Sequence, residues 1–279
     1  MSISCAAGLS EKRSKDKVNP LLYACIQGDL QLVKSLIEGG CDRDVVSGSD
    51  FNALIEASFY GQLEIVKYLI GIGFNKNCKN KSDGASPIFV ASQEEHLEVI
   101  KYLISIGANP NIKTDEGITP LYMASQKGYF EIVKYLISNG ANPNEKNNEG
   151  FTPILVASQK GHLEIIKYLV SAGVNPDQKF ENEFSSLIMA AAMGHLEVVK
   201  YFIKCGCNKN DKTINNDSSL HWAVKQGHFN VVEYLVSIRV KLSDENDDDE
   251  TPLDIAKEKQ HENDNYRKIM KLLIKSGAR

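Results

Sequence analysis

The sequence lacks a long apolar run, an excess of basic residues and a phosphate-binding motif. No apolar stretch approaches the ~20 residues that a helix needs to span a bilayer. Acidic residues outnumber basic ones, 36 to 32, so the chain has no electrostatic footprint for nucleic acid. None of the patterns GxxxxGKS, GxxxxGKT and GxGxxG occurs. We therefore expect no membrane insertion, no nucleic-acid partner and no cofactor.

The six cysteines do not form a paired framework. They stand at unrelated positions, namely Cys5, Cys25, Cys41, Cys78, Cys205 and Cys207. This distribution favours reduced thiols, and the N-terminus lacks the apolar region of a secretion signal. Cys205 and Cys207 are separated by one glycine, but no further Cys/His pair stands nearby at zinc-finger spacing. We expect an intracellular protein of the cytoplasm or nucleus, without a metal site.

A block of about 33 residues recurs eight times along the chain. Its clearest copies begin at Gln93, Gln126 and Gln159, and each copy follows a short segment of helical composition. Those segments begin at Pro20, Ala53, Pro87, Pro120, Pro153, Ser186, Ser219 and Pro252. Successive starts lie 33 residues apart, except for 34 between Ala53 and Pro87. A period of this length, kept over the whole chain, indicates a repeat architecture.

One repeat has the pattern of two short helices and an extended turn. In the fourth copy Pro120 stands in the first turn of a helix that Gly128 ends. The second helix carries an apolar stripe predicted at Phe130, Val133, Leu136 and Ile137, and Gly140 ends it. Residues 142–150 are rich in Asn, Pro and Gly and predict a turn or hairpin. Such a unit cannot bury its stripe alone, so the copies are expected to stack.

One position of the first helix is alanine in every copy. The series is Ala24, Ala57, Ala91, Ala124, Ala157, Ala190, Ala223 and Ala256. A small side chain at a fixed position predicts close helix approach, where a larger residue would overpack the contact.

These motifs resemble those of the ankyrin-repeat family. The resemblance rests on ITPLYMAS, FTPILVAS, SLHWAV and TPLDIA in first helices and on GANP at the turn, and it covers residues 17–279. It implies an all-α repeat protein, a curved solenoid of helix–turn–helix units joined by β-hairpin or extended loops. We predict one domain over 17–279, after a polar lead-in at 1–16 that is either disordered or the remains of a cut from a larger protein. The predicted repeats are 17–46, 47–80, 81–113, 114–146, 147–179, 180–212, 213–245 and 246–279.

The first helices depart from the family pattern at one position. The histidine of the family's TPLH motif survives only as His221, and its place is taken by Leu22, Ile55, Phe89, Tyr122, Leu155, Ile188 and Asp254. In those repeats the hydrogen bonds that this histidine gives to the hairpin in the family are therefore not expected.

No residue pattern predicts catalysis. Four histidines, His96, His162, His195 and His228, recur at one position just before the second-helix stripe. A catalytic group occurs once, beside its partners, so this recurrence indicates a structural role. The acidic run 243–250 begins like a calcium loop, but Asp249 stands where that loop requires glycine and Ile255 where it requires glutamate. We expect no enzyme activity and no bound metal, and a solvated hairpin that could attract a basic partner.

The resemblance implies that a partner protein binds a concave groove of hairpin tips and first helices. Carried over by position, the candidate residues are Phe51, Phe59, Tyr60, Ile118, Gln126, Lys127, Phe151, Gln159, Lys160, Phe184, Met193 and Trp222. The aromatic members have two interpretations, packing against neighbouring hairpins or anchoring a partner. The lysines recurring on second helices belong to a solvated face.

We therefore predict a monomeric, non-catalytic scaffold or adaptor that binds another protein through this surface. The alternative is a regulatory or targeting segment of a larger enzyme whose catalytic domain is not in this chain.

Overall fold

The structure, a computed structural model, describes residues 19–180 and 183–279. The predicted lead-in at 1–16 and Cys5 lie outside the described residues. Sixteen α-helices in the described part form eight consecutive pairs. The first helices are Pro20–Gln27, Ala53–Phe59, Pro87–Gln93, Pro120–Lys127, Pro153–Lys160, Ser186–Ala192, Ser219–Lys225 and Pro252–Glu258. The second helices are Leu30–Glu38, Leu63–Gly71, Leu97–Ser105, Phe130–Ser138, Leu163–Ser171, Leu196–Lys204, Phe229–Ser237 and Asp264–Lys275.

The residue before the first helix caps it through its side chain in every repeat except repeat 5, where Thr152 makes no such bond. Ser86 and Ser185, for example, accept hydrogen bonds through Oγ from the backbone N–H of Phe89 and Ile188, both at 3.3 Å. Such caps satisfy backbone donors that have no partner inside the helix. A glycine with positive φ often follows, as at Gly161 with φ 77°, and it turns the chain directly into the second helix.

Two compact units divide the chain. The first contains the described residues up to Ala124 together with Tyr129–Asn148. Within it the first helices of repeats 1, 2 and 3 pack side by side, and so do the second helices of repeats 1 to 4. The row of first helices and the row of second helices bury their apolar faces in the same core. Each repeat is therefore stabilised by its neighbours along the chain.

The second unit contains Ser125–Gly128 and Glu149–Arg279. Its first helices pack in the order of repeats 5, 6, 7 and 8, and the second helices of repeats 6, 7 and 8 do the same. Repeat 8 carries a 3₁₀ turn at Lys259–His261, and its last helix, Asp264–Lys275, is longer than the second helices of the other repeats. The all-α repeat fold predicted from the sequence is confirmed, whereas the single domain over 17–279 stays a prediction.

The alanine series lies at the helix contacts. All eight alanines are 0% exposed, so no solvent-filled space is left at this position in any repeat. The prediction of close helix approach is therefore confirmed.

The buried stripe of the second helix is rotated from the prediction in repeat 4. Ile132, Val133 and Leu136 are buried, while Phe130 and Ile137 are only half-buried. On the helix surface Phe130 and Ile137 lie at one edge of the stripe, because it is centred on the ridge through Ile132 and Leu136. The prediction was therefore right for Val133 and Leu136 and wrong for Phe130 and Ile137. Apolar residues fill both neighbouring ridges of this helix, so the sequence did not show which ridge is buried.

A polar side chain closes most hairpins, including the repeat 8 hairpin whose Glu250 carbonyl also bonds His221 Nε2. It accepts a hydrogen bond from the backbone N–H near the end of the hairpin, as when Thr114 Oγ1 accepts from Ile118 at 3.1 Å. Ser47, Asn80, Thr213 and Asn246 do the same in their hairpins. The hairpins contain only isolated β-bridges in the described residues, such as Val46 with Asn52. In repeat 3 the closing bond runs from Asn80 to Ala85, one residue longer than Thr114 to Ile118, which explains the 34-residue interval.

The five described cysteines are free, and their thiols differ in accessibility. Burial, and then the nearby Glu56 carboxylate, raises the pKa of the Cys25 thiol to about 12. Burial, and then Asp177, raises the pKa of Cys207 to about 12, whereas Cys205 is exposed.

We expect iodoacetamide at pH 8 to alkylate Cys205 first and to modify Cys25 and Cys207 only on unfolding, because the reactive species is the thiolate. Site-resolved mass spectrometry against time checks this order. Rapid labelling of Cys25 under native conditions would show that repeat 1 opens far more often than its burial implies.

Candidate functional site

The recurring histidines join neighbouring repeats. His195 stands at the N-cap of its helix, and its Nε2 donates to the backbone carbonyl of Gln159 in the preceding repeat at 2.9 Å. The same bond joins His96 to Phe59, His162 to Gln126 and His228 to Ala192. Each ring also covers the glycine of the preceding repeat, because a Cβ on Gly161 would lie 2.6 Å from His195 Nδ1. We call this pair the glycine–histidine latch, and it gives the histidines the structural role that their recurrence predicted.

The latch is altered on both sides between repeats 3 and 4. Glu95 takes the glycine position with φ 65°, and Tyr129 takes the histidine position of the next repeat. Burial, followed by the carboxylates of Glu95 and Glu94, raises the pKa of Tyr129. Glu95, which is larger than the usual glycine, is thus accompanied by tyrosine instead of histidine at position 129.

In each unit the candidate binding residues stand on the hairpin tips or on the first helices, and we call this part of a unit its tip face. In the first unit it carries an aromatic cluster in which the Phe59 ring lies 5.9 Å from Phe51 and 5.1 Å from Tyr60. Phe51 and Phe59 are half-buried against Ile55 and Phe89, while Tyr60 is 43% exposed. The structure therefore brings three predicted residues together and exposes one of them.

A buried carboxylate lies on the same helix as this cluster. Glu56 is 6% exposed. Burial raises the pKa of its carboxyl group, and a hydrogen bond from Ser47 opposes the shift. The repeat 2 helix thus ends in an aromatic cluster above a buried acid.

The middle candidates are less prominent. Ile118 is half-buried and packs against Phe89 and Val90 in the first unit. In the second unit the backbone carbonyls of Gln126 and Gln159 accept the latch bonds, and their side chains are half-buried. Lys127 and Lys160 are exposed beside them. These positions offer polar contact more than apolar anchoring.

Four aromatic rings form a continuous row in the second unit. The centroid of Phe180 lies 4.4 Å from Phe151 and 5.7 Å from Phe184, and Phe184 lies 5.1 Å from Trp222. We call this the aromatic row. Its members are half-buried, so the rings of Phe151, Phe184 and Trp222 do pack against neighbouring hairpins. Met193, the other apolar candidate of this unit, is 43% exposed.

A polar network borders the aromatic row. Asp217 is buried, pairs with Lys225 at 3.0 Å and accepts from Asn246 Nδ2 at 3.1 Å. Lys225 Nζ also lies 5.5 Å from the centre of the Trp222 ring. His221 is fully buried, and this burial lowers its pKa. Its Nδ1 accepts from the Ser218 backbone, so the one surviving TPLH histidine caps its own helix.

Three exposed or stacked residues of the tip region were missed from the sequence. Ile214, at the tip of the repeat 7 hairpin, is 61% exposed, and Tyr23 on the first helix of repeat 1 is 52% exposed. Phe180 joins the aromatic row. For Ile214 and Phe180 the sequence did carry a signal, because each is an apolar residue at a hairpin position that is polar in other repeats.

The second helices present a different surface. Five of them carry a glutamate and a lysine three residues apart in an ion pair, for example Glu164 with Lys167 at 2.7 Å. The others are Glu64–Lys67, Glu98–Lys101, Glu131–Lys134 and Glu197–Lys200. This face is therefore locally neutral, in agreement with a solvated face.

Within residues 19–180 and 183–279, no group of three or more His, Cys, Asp or Glu side chains is placed to hold a metal ion. None of the helices in that same part of the chain is both long and apolar enough to cross a bilayer.

Comparison with known proteins gives a family. The model described as ankyrin repeats (3 copies) matches in overlapping segments, at residues 3–80, 70–147, 88–180, 137–213 and 187–279. No curated protein matches the chain at a significant level. The matched segments cover all eight helix pairs, with their glycine turns and buried alanines, and the chain therefore belongs to the ankyrin-repeat family.

Proposed function

We propose that this protein is a non-catalytic scaffold or adaptor that binds a partner protein through the tip face. Ankyrin repeats are in general protein–protein interaction modules without catalytic activity. We further propose that it acts as a monomer in the cytoplasm, which the free cysteines support. A regulatory segment of a larger enzyme would use the same surface.

The observation that carries the proposal is the distribution of exposed apolar side chains. Tyr60 and Met193, both 43% exposed, stand on the last turns of first helices, where the family binds its partners. The ring of Tyr60 packs edge-to-face on the half-buried ring of Phe59. A ring fixed in this way loses little side-chain freedom on binding, which lowers the entropic cost of association.

The two faces differ in the free energy they can contribute. Burying a large apolar side chain stabilises a complex by roughly 1.5–3 kcal/mol. An exposed lysine–glutamate pair contributes about 0–1 kcal/mol and is screened by salt. Affinity is therefore expected to depend on the tip face.

We expect Tyr60→Ala to weaken the complex with the cognate partner by about tenfold, since truncating an aromatic anchor removes its buried contact area. Isothermal titration with a partner recovered by affinity capture measures the effect. Phe59→Ala is less diagnostic because Phe59 also packs in the core.

The matched control is Lys101→Ala with Lys134→Ala on the second helices, which should leave affinity nearly unchanged. If the lysine variant loses binding and Tyr60→Ala retains it, the partner uses the opposite face.

A further inference from the structure

The aromatic row is built at a local cost to its hairpin. Phe180 occupies the position where Ser47, Asn80, Thr114, Thr213 and Asn246 close their hairpins with a side-chain acceptor. The side chain of phenylalanine has no acceptor, so the backbone N–H of Phe184 cannot donate the hydrogen bond that the equivalent N–H donates in those hairpins. In exchange Phe180 bridges Phe151 and Phe184. Local rules of this kind are typically broken where a surface has a use.

Trp222 adds a second local cost in the same row. Its indole Nε1 is buried without a hydrogen-bond acceptor. Leaving a buried donor unpaired destabilises the fold, and phenylalanine, which has no donor, would avoid this cost. Packing alone therefore does not account for an indole here. Tryptophan is the best aromatic partner for a cation, and Lys225 of the same helix already lies 5.5 Å from the ring centre.

Carboxylates stand next to this row. The repeat 8 tip carries Asp247, Asp248 and Asp249, all exposed, and none of them joins an ion pair in the described part of the chain. This tip lies directly against the repeat 7 tip, since Asn216 Nδ2 donates to Asp247 Oδ1 at 2.7 Å. Trp222 belongs to the same repeat 7. The tip of the repeat that ends the aromatic row is thus bordered by unpaired negative charge.

The most exposed large apolar side chain of the described residues lies in the same place. Ile214, 61% exposed, is on the repeat 7 tip, between the hairpin of Phe180 and the acidic tip of repeat 8. Apolar surface and unpaired carboxylates therefore alternate over neighbouring tips. An acidic or neutral segment would leave those carboxylates without a counter-charge, and only a cationic segment matches both features.

We propose that the second unit binds a basic segment of the partner, in which arginine or lysine side chains alternate with apolar ones. The inference rests on the proposed function and specifies the chemistry of the partner. Basic groups pair with Asp247, Asp248 and Asp249, and apolar groups cover Ile214 and the Phe184 edge of the row. Arginine suits this surface because its planar guanidinium both stacks on rings and pairs with carboxylates.

The test uses the full chain and its own fluorophore, because Trp222 is the only tryptophan. The probe is a synthetic peptide of alternating arginine and leucine, and the comparison peptide replaces every arginine with glutamate. We expect a saturable change of Trp222 emission with the basic peptide alone, and affinity that falls as salt rises.

Two variants locate the site. Asp247→Asn, Asp248→Asn and Asp249→Asn together should weaken basic-peptide binding by about tenfold, and Ile214→Ser should weaken it severalfold. The matched control, Glu164→Gln with Glu197→Gln and Glu233→Gln, removes the same charge from second helices of the same unit and should leave affinity within about twofold.

The proposal is overturned if both peptides bind alike, if neither changes Trp222 emission, or if the control weakens binding as much as the tip variant. Tyr60→Ala distinguishes this outcome from failure of the proposed function. Tyr60→Ala should leave the affinity for the basic peptide unchanged. Its effect on the complex with the cognate partner, measured separately, decides whether the tip face binds that partner.

Discussion

Replacement of Gly161 by alanine is expected to lower the free energy of unfolding by about 2–5 kcal/mol. Two effects add. The backbone at Gly161 has φ 77°, a conformation that costs an L-residue roughly 1–2 kcal/mol. The new methyl group would also lie 2.6 Å from His195 Nδ1, and relieving such overpacking costs about 1–3 kcal/mol. Urea denaturation followed by circular dichroism measures the loss.

Gly173→Ala separates the two effects. Gly173 belongs to the same repeat and has φ 92°, but a Cβ there would meet nothing within 4 Å. Its substitution should cost only about 1 kcal/mol, the backbone contribution less the entropy removed from the unfolded chain. In a His195→Ala background, Gly161→Ala should fall to the same value, because the clashing ring is gone. Equal costs with and without His195 would contradict the latch.

The second large effect is expected at the alanine series. Ala91→Leu should destabilise the protein by about 1–3 kcal/mol, because Ala91 is 0% exposed in a helix that packs against the first helix of repeat 2. The measurement is again the denaturation midpoint. The control is Ala172→Leu, which adds the same atoms at an exposed position and should change stability by no more than about 0.5 kcal/mol. A midpoint for Ala91→Leu equal to that of wild type would mean that this position has room to spare.

The repeat register made the fold predictable. The helix pairs, the glycine turns and the contact alanines all follow from a position that recurs in every copy, because each copy meets the same environment. Single-copy features were harder. The stripe of repeat 4 was predicted at Phe130, Val133, Leu136 and Ile137, and only Val133 and Leu136 are buried. Periodicity cannot distinguish two neighbouring apolar ridges when both are filled.

The candidate surface was predictable in place and less so in detail. Positions carried over by register put Tyr60 and Met193 at exposed points of the tip face. They did not show that the Phe59 side chain is half-buried and packs against the core. Phe180 and Ile214 were missed because they depart from the register, and a method that averages over copies gives least weight to such residues.

The altered junction between Glu95 and Tyr129 limits how this chain can recombine. Every latch is divided between two copies, with the glycine in one and the ring in the next. Duplicating or transplanting one repeat therefore separates the glycine from the ring in two latches, one at each end of the repeat. Repeat 3 followed by a histidine-bearing copy would place an imidazole against the side chain of Glu95, so positions 95 and 129 have to be exchanged together. The junction between copies, rather than the copy itself, is the element that a designer would need to keep whole.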